Sequence, residues 1–561
     1  MASCLTLRKS NCQKCCKCIR RCPVKSIRFS SGQASIIDEE CILCGRCVSV
    51  CPRRAGEIAD GVRQASELLR GGSPVYVSLD PAFVAAFDGA GLDAMEEALT
   101  RLGFAGVLET AVGGTIVKNE YERILREEDR DVLISSCCHT VNLLVQKYFP
   151  KSLPYLADVI SPAEAHCAYI KQQHPEAKCV YVGPCAARKD EAKHRADSPS
   201  PDAVLTFAEL AGWLKKDGLE LRREADGNRN EKSRARLFPV SGGIIKSMEQ
   251  APAGYTYIAV DGVERCMAAL RDVEDGKLRH CFIEMSACDG GCVGCPGMEK
   301  CSSAVAGVLV ANFAGKYDFE IDPSAIPAMR KTFEPMDSSA PSVEPSDSEV
   351  TDVLRSSGKL KPRRTLNCGS CGYDTCWDFA VAVCKGKAEL SMCLPHTRDK
   401  AESFSDTIVK NTPNAVVVLN EELEIQQIND AALHIMNIGS AADVLGEGIV
   451  RIMNPAIFTD VLKTGSIYHQ RDFMSRYKLY VERTVVHDRE SHLLICIMRD
   501  VTDEEKERKK KESISRETVE VADKVVAKQM RIVQEIASLL GETAAETKVA
   551  LLKLKEYIAD E

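Results

Sequence analysis

The chain has 561 residues, of which 45% are hydrophobic and 27% charged, and its formal net charge is −8. That length predicts several domains, because single domains usually run to about 100–200 residues. The mildly acidic balance excludes the basic surface of a nucleic-acid binder, and no apolar run reaches the ~18–20 residues that a bilayer-crossing helix needs.

Cysteine is over-represented, with 27 copies. The N-terminal stretch MASCLTLRKSNCQKC lacks the apolar centre of a secretion signal, so the reducing cytoplasm is the expected compartment. Clustered thiols there bind metal or do redox chemistry rather than pair as disulfides. They fall at residues 4–51, 137–301 and 368–393, with Cys496 apart.

Residues 1–57 read as the first cysteine-rich module. Cys12, Cys15, Cys18 and Cys22 follow C-x2-C-x2-C-x3-C and precede Pro23; Cys41, Cys44, Cys47 and Cys51 repeat the spacing before Pro52. In this pattern three cysteines wrap one 4Fe-4S cubane and the fourth crosses to the other. Cys12, Cys15, Cys18 and Cys51 are therefore expected on one cluster, and Cys41, Cys44, Cys47 and Cys22 on the second. Thiolates are soft donors that suit iron, although zinc also accepts C-x2-C pairs. The segment resembles bacterial two-cluster ferredoxin domains. Cys4 and Cys16 lie outside the pattern.

Residues 60–330 alternate apolar strand-like runs with helical patterns, which predicts an α/β core. Three loops stand out: Ser135-Ser136-Cys137-Cys138 after Val132-Leu133-Ile134; Gly183-Pro184-Cys185-Ala186-Ala187-Arg188-Lys189 after Val180-Tyr181-Val182; and Glu284-Met285-Ser286-Ala287-Cys288-Asp289-Gly290-Gly291-Cys292. Cys138, Cys185, Cys288 and Cys292 supply four thiolates, enough for one more cubane, which could equally be a buried structural cluster. Gly290 and Gly291 let backbone approach a bulky cofactor, and Arg188 and Lys189 offer charge to an anionic ligand.

Together the loops resemble the three H-cluster signatures of iron-only (FeFe) hydrogenases, TSCCP, MPCxxK and ExMxCxxGC. Asp80-Pro81-Ala82 is similar to that family's Ala-Pro-Ala turn. The resemblance implies that Cys138, Cys185, Cys288 and Cys292 bind the cubane of an H-cluster. Cys292 would also bridge to a two-iron subcluster bearing CO, cyanide and a dithiolate. Cys137 matches the proton-relay cysteine, and Arg188 or Lys189 would hold cyanide; Glu284 and Ser286 complete the catalytic candidates. Departures accompany the match. Gly183 and Ser286 stand where methionines are usual, Arg188 where lysine is, and His139-Thr140 where Pro-Gly is. The first relay glutamate falls near Asn119, with Glu120 and Glu122 beside it. A more polar pocket and slow turnover are expected. Cys295 and Cys301 follow the third loop as extra ligands, redox thiols or inert thiols; Cys167, Cys179, Cys266 and Cys281 stay equally open.

Residues 334–363, rich in Ser, Pro and acid, read as a linker. In residues 364–397, Cys368, Cys371, Cys376 and Cys393 follow C-x2-C-x4-C-x16-C, with a helix expected over Trp377–Leu390 and Cys384 inside it as a non-ligand. Zinc is again the alternative. The segment resembles the small 4Fe-4S domain of electron-transport and corrinoid proteins.

Residues 403–502 show Asn414–Leu419, a turn, Ile425–Asn429, a helix from Ala431, and the closing run Leu493–Arg499 before Asp500-Val501-Thr502. This resembles a PAS domain. His434 and His469 could ligate haem, but a ligand-free protein-binding module fits the residues better. In residues 503–561, Val519, Ala522, Val526, Gln529, Val533, Ile536 and Leu540 recur at near-heptad spacing. That predicts a short coiled coil and a homodimer, or a helix packed on its own PAS domain, with Gly541 breaking the pattern.

The fold class is thus multidomain α+β: a ferredoxin-like two-cluster module, an α/β hydrogenase domain, a small Fe-S domain, a PAS domain and C-terminal helices. The expected cofactors are three 4Fe-4S clusters and the H-cluster. The resemblance implies a hydrogen-sensing FeFe hydrogenase handling H2 and protons. Its expected partners are ferredoxin or another redox protein, H-cluster maturation proteins, and a separate kinase or phosphatase as signalling output. A purely catalytic, ferredoxin-linked hydrogenase and an electron-transfer protein without the two-iron subcluster are the alternatives.

Overall fold

The computed structural model describes residues 4–8, 11–128, 130–193, 200–222, 231–249, 252, 254–298, 301–336, 344–360 and 365–559. The chain divides into two compact units, Met1–Thr397 and Arg398–Glu561. Among the described residues, no helix is long and apolar enough to cross a membrane.

In the first unit, two antiparallel strand pairs frame the N-terminal cysteines: Leu5–Leu7 with Gly56–Ile58, and the hairpin Ile27–Ser30 with Gln33–Ile36. The α/β region holds two parallel sheets. One runs in the order Gly106–Glu109, Val75–Leu79, Lys178–Gly183, Ala203–Thr206; the other runs Thr256–Asp261, Cys281–Ser286, Val132–Ile134. Parallel strands are buried on both faces, which accounts for their unbroken apolar runs. Val132, Leu133, Ile134, Val180, Val182, Phe282 and Ile283 are all buried. The three signature loops leave the C-terminal ends of Val132–Ile134, Lys178–Gly183 and Cys281–Ser286, where parallel sheets place their functional groups. Inside the core the Arg236 guanidinium clasps both oxygens of Glu109 at 2.6 Å, so its buried charge is matched.

The presumed linker needs correction. Asp347–Ser356 is a helix, started by a reciprocal capping box between Ser346 and Glu349, and it buries Val350. Positions 337–343 and 361–363 of that stretch lie outside the described residues. In the second cysteine module the helix spans Cys376–Cys384 rather than reaching Leu390. Gly386, at φ +66°, takes the left-handed conformation that closes it.

The 365–395 segment is keyed to the N-terminal module. Lys25 Nζ donates to the Gly372 carbonyl at 2.9 Å, the Phe29 N–H to the Lys387 carbonyl at 2.8 Å, and the Ser31 N–H to Glu389 at 2.7 Å. Ile19, Ile27, Phe29, Tyr373, Phe379 and Met392 belong to one apolar core. Gly372 sits at φ +94°, and a Cβ there would lie 2.9 Å from Ile19 Cγ2 and 3.1 Å from the Arg20 nitrogen. Gly372→Ala is expected to destabilise this seam by more than ~1 kcal/mol, since strain and clash add. Anaerobic hydrogen exchange of the 366–393 amides would quicken in the variant; unchanged protection would refute the close approach.

The second unit contains a five-stranded antiparallel sheet in the order Ile425–Ile428, Ala415–Asn420, Leu493–Asp500, Leu479–Asp488, Tyr468–Met474. Its buried face carries Val417, Leu419, Val481, Val485, Leu494 and Met498, packed against Phe458 and Val461 of the helix Ala456–Thr464. Asn429 caps the helix Asp430–Ile435 through Ala432 N–H at 3.0 Å. The last helix runs unbroken over Thr502–Ala559, through Gly541. One glycine costs about 1 kcal/mol against alanine, too little to stop a helix among good helix formers. Val519, Val526, Val533, Ile536 and Leu540 on it are all more than half exposed, so they do not pack on the sheet.

Candidate functional site

Four cavities are lined by the sixteen candidate ligands. The largest, about 630 Å3, has Cys138, Cys185, Cys288 and Cys292 in its wall, with Ser286, Gly291 and Cys295. Its other side is formed by Leu43, Cys44, Gly45 and Cys51 of the N-terminal module. Cys12, Cys15, Cys18 and Cys51 share a second cavity; Cys22, Cys41, Cys44 and Cys47 share a third; Cys368, Cys371, Cys376 and Cys393 share a fourth. Backbone N–H groups point at several of these sulfurs: Ser26 at Cys22 (3.3 Å), Leu43 at Cys41 (3.4 Å) and Ala55 at Cys51 (3.3 Å). Such donors favour thiolate over thiol and tune a bound cluster.

The N-terminal module is held against the α/β region by the helix that follows Cys138. Lys147 Nζ donates to the Cys41 carbonyl at 2.8 Å, and the Tyr148 hydroxyl to the Glu40 carbonyl at 2.7 Å. Gly45 lies so near Pro296 that an added Cβ would be 3.7 Å from its ring. Cys44 lines both the third cavity and the largest one, so the two adjoin.

Behind the four thiols, each catalytic candidate has a definite setting. The Arg188 guanidinium donates to the Cys137 carbonyl at 2.6 Å and pairs with Glu191, within electrostatic range of Cys185 and Cys292. Lys189 is not brought to the site: its ammonium is spent on both oxygens of Glu209, at 2.7 and 2.8 Å, and on the Ala59 carbonyl. Four residues make one short helical turn, Arg188–Glu191, so neighbouring cations on it point to different partners. Ser286 lines the large cavity.

Cys137 is buried, and burial pushes its thiol up to about 12. Its Sγ lies 3.2 Å from the hydroxyl of Tyr121, on the helix Ala111–Glu127. The Tyr121 oxygen accepts the Ser136 N–H at 3.0 Å, and Ser136 Oγ donates to the Val159 carbonyl at 2.7 Å. The tyrosine proton is thus left for Ser136 Oγ or Cys137 Sγ. A phenol, not a carboxylate, meets the thiol here. Of the neighbouring acids, Glu120 pairs with Arg123, and Glu122 accepts the Glu249 N–H at 2.8 Å.

Glu284 is buried within electrostatic range of Cys137, and burial lifts its carboxyl to about 7 against the pull of the Ile245 N–H, which donates to it at 3.0 Å. An acid whose folded value lies above its ordinary ~4.3 lends stability at low pH and loses it as pH rises through about 7. Relative to the native chain, Glu284→Gln should gain up to about 3 kcal/mol between pH 5 and pH 9. Anaerobic thermal melts of both proteins across that range test it, and parallel pH profiles would refute it.

The sequence reading gave Tyr181 no role and left that of Cys295 open. Tyr181 fills the space over Gly183: an added Cβ there would lie 2.3 Å from its hydroxyl, which donates to Asp80 Oδ2 at 2.7 Å. Burial raises the Asp80 carboxyl, and the Ala82 N–H at 2.9 Å restrains it. Residues two apart on a strand share a face, so the Tyr-x-Gly order was the available signal. Cys295 is buried beside the ligands, hydrogen-bonded to Cys185 and Cys288, and donates to the Pro184 carbonyl at 3.3 Å. Cys167 and Cys179 form a separate buried pair with sulfurs 2.9 Å apart. Cys384 is exposed.

Residues 73–296 match the family model described as iron only hydrogenase large subunit, C-terminal domain. The chain carries an iron-only hydrogenase domain. Residues 4–52 match a 4Fe-4S dicluster domain, and residues 365–395 a putative Fe-S cluster domain. Hydrogenase relatives agree. The periplasmic Fe hydrogenase large subunit of Nitratidesulfovibrio vulgaris is 27% identical over 254 residues, which cover 36% of this chain and 60% of that one. The NADP-reducing hydrogenase subunit HndD of Solidesulfovibrio fructosivorans is 26% identical over 370 residues, covering 52% and 63%. The chain thus spans less than two thirds of either relative. A solved FeFe-hydrogenase from Chlamydomonas reinhardtii superposes at a TM-score of 0.38 with 18% identity, covering 49% of this chain and 91% of that one.

Proposed function

We propose that this chain reacts with H2 at an H-cluster held by Cys138, Cys185, Cys288 and Cys292, and sends the electrons into its own 4Fe-4S clusters. The observation that carries the reading is the large cavity, with four hydrogenase-loop thiols on one side and Cys44 and Cys51 on the other. Thiols that surround a void of this size fit a polynuclear cluster better than one zinc ion, whose ligands would meet about 2.3 Å from a single point. When bound, the two-iron subcluster supplies the iron centre at which H2 is split.

The protein's part is positioning and proton handling. Cys138, Cys185, Cys288 and Cys292 hold the cubane, and Gly291, at φ +86° with no room for a Cβ against the Pro239 carbonyl, lets the backbone close around it. Arg188 offers charge to an anionic ligand such as cyanide. Cys137 Sγ takes or returns the proton, with the Tyr121 hydroxyl beside it and Glu284 as the nearest buried acid. With Asn119 near the place of the first relay glutamate and a phenol rather than a carboxylate beside the thiol, proton transfer is harder, which supports slow turnover. The two N-terminal cysteine sets and Cys368, Cys371, Cys376 and Cys393 would hold 4Fe-4S clusters able to take up the electrons and deliver them to ferredoxin or another redox protein. The cysteine usage favours a reducing compartment such as the cytoplasm.

The strand order of the second unit supports a PAS module, and its long exposed helix supports a dimer that relays the redox state to a separate kinase or phosphatase. Maturation proteins would have to insert the two-iron subcluster. Infrared spectra of the maturated chain test the core of the reading: CO and cyanide bands are expected, and their absence from fully iron-loaded protein would leave only an electron carrier. Modulation of a partner enzyme by H2 tests the sensing role.

A further inference from the structure

The 365–395 module, which packs on the N-terminal module, has two groups beside its cysteines that no step above uses. Tyr373 is 4% exposed, and its hydroxyl has no hydrogen-bond partner among the described residues. It lies within electrostatic range of Cys371 on its own module and of Cys22 and Cys16 on the other. A buried hydroxyl left without an acceptor costs about 1–3 kcal/mol, so an acceptor belongs there, and a cluster sulfur fits the thiol-rich surroundings. Lys359 is the second group. It is 7% exposed, its ammonium lies 3.4 Å from Cys376 Sγ, and it also hydrogen-bonds Cys393. By contrast, Cys22, Cys41 and Cys51 in the N-terminal module take neutral backbone donors. A full positive charge against two ligand sulfurs stabilises the more negative, reduced cluster, and more strongly so away from water. Cys368 is exposed while Cys371, Cys376 and Cys393 are buried, so one edge of the site reaches solvent.

We propose that the cluster held by Cys368, Cys371, Cys376 and Cys393 stands in series with the N-terminal pair as the electron outlet of the chain, with Lys359 raising its potential and Tyr373 bridging the two modules. In each transfer one electron leaves a reduced N-terminal cluster, which is oxidised, and enters the outlet cluster, which is reduced. The protons from H2 stay behind in the hydrogenase domain. The outlet is re-oxidised by an external redox protein. The arrangement rests on the iron–sulfur reading given above.

The test uses the full-length chain, reconstituted anaerobically with iron and sulfide but not maturated, so that hydrogenase activity plays no part. Iron analysis comes first, and about sixteen irons per chain are expected for four cubanes. A site at 368–393 that does not load overturns both the reading and the inference. With loading established, a potentiometric titration followed by electron paramagnetic resonance decides the inference alone. One cluster signal should appear at a higher potential than the rest, and full reduction should broaden the spectra through spin coupling. Lys359→Met should move the first signal to more negative potential, Lys359→Arg should largely restore it, and Tyr373→Phe should move it the same way by less. If Lys359→Met sheds the cluster, Lys359→Gln keeps a donor, loses the charge and reads the same shift. A first signal that ignores the loss of charge, or fully reduced spectra without coupling, overturns the proposal.

Discussion

Cys292→Ala should abolish the H2 turnover of the maturated chain and lower the iron content of the reconstituted, unmaturated chain by about four, the complement of one cubane. The expectation rests on what stands around that thiol. The Asp80 carboxyl lies within electrostatic range of Cys292, but it is committed to the Tyr181 hydroxyl at 2.7 Å and the Ala82 N–H at 2.9 Å. Cys295 is engaged with Cys185, Cys288 and the Pro184 carbonyl. Neither can take the vacated position without giving up bonds worth about 1–3 kcal/mol each in a buried setting. The other three cavities share none of their thiols with Cys292, so about twelve irons should remain. Iron and sulfide analysis beside an H2 assay makes the test. Full iron content with turnover retained would show that the four-thiol cavity does not hold the cubane. Loss of all sixteen irons would point to misfolding, and Cys292→Ser, closest to the native side chain in size, separates that outcome from ligand loss.

How much of this could be read from the chain depends on how local each signal is. The N-terminal ligands repeat every three or four residues, so spacing alone groups them, and the cavities bring the same residues together. Cys138, Cys185, Cys288 and Cys292 come from three loops of two different sheets. Only the resemblance of the loop sequences joined them, because no periodicity spans that separation. The helix Asp347–Ser356 was legible in principle from Ser346-x-x-Glu349, but the surrounding Ser, Pro and acid masked the capping box. The reach of Lys189 to Glu209 and of Tyr121 to Cys137 was not legible. Each depends on where one helix lands on another element, which tertiary packing decides. The seam between residues 365–395 and the N-terminal module is the extreme case. It rests on Gly372 lying against Ile19 and Arg20, some 350 residues away in the chain, and a single glycine in a cysteine-rich loop has many other uses.

Cys137→Ala should slow H2 turnover by about 10²–10⁴-fold while leaving iron content and infrared bands unchanged. The thiol touches no cavity ligand that its loss would remove, since Cys138 keeps its place at the start of the helix His139–Tyr148 through backbone bonds such as Asn142 N–H to the Cys138 carbonyl at 3.0 Å. Arg188 holds the Cys137 carbonyl rather than its sulfur, so that anchor survives as well. What disappears is the titratable atom beside Tyr121, and the next buried acid, Glu284, is left without an intermediate carrier. Cys137→Ser sharpens the result. A serine hydroxyl can keep the hydrogen bond to Tyr121 but ionises far less readily than a thiol. If Cys137 serves only to pack against Tyr121, serine should restore turnover; if it carries the proton, serine should be nearly as slow as alanine. The rate under saturating H2, measured at several pH values with a fast artificial electron acceptor, separates the two. Native rates in both variants would remove Cys137 from the proton path and leave Tyr121 and Ser136 as structural partners of the loop.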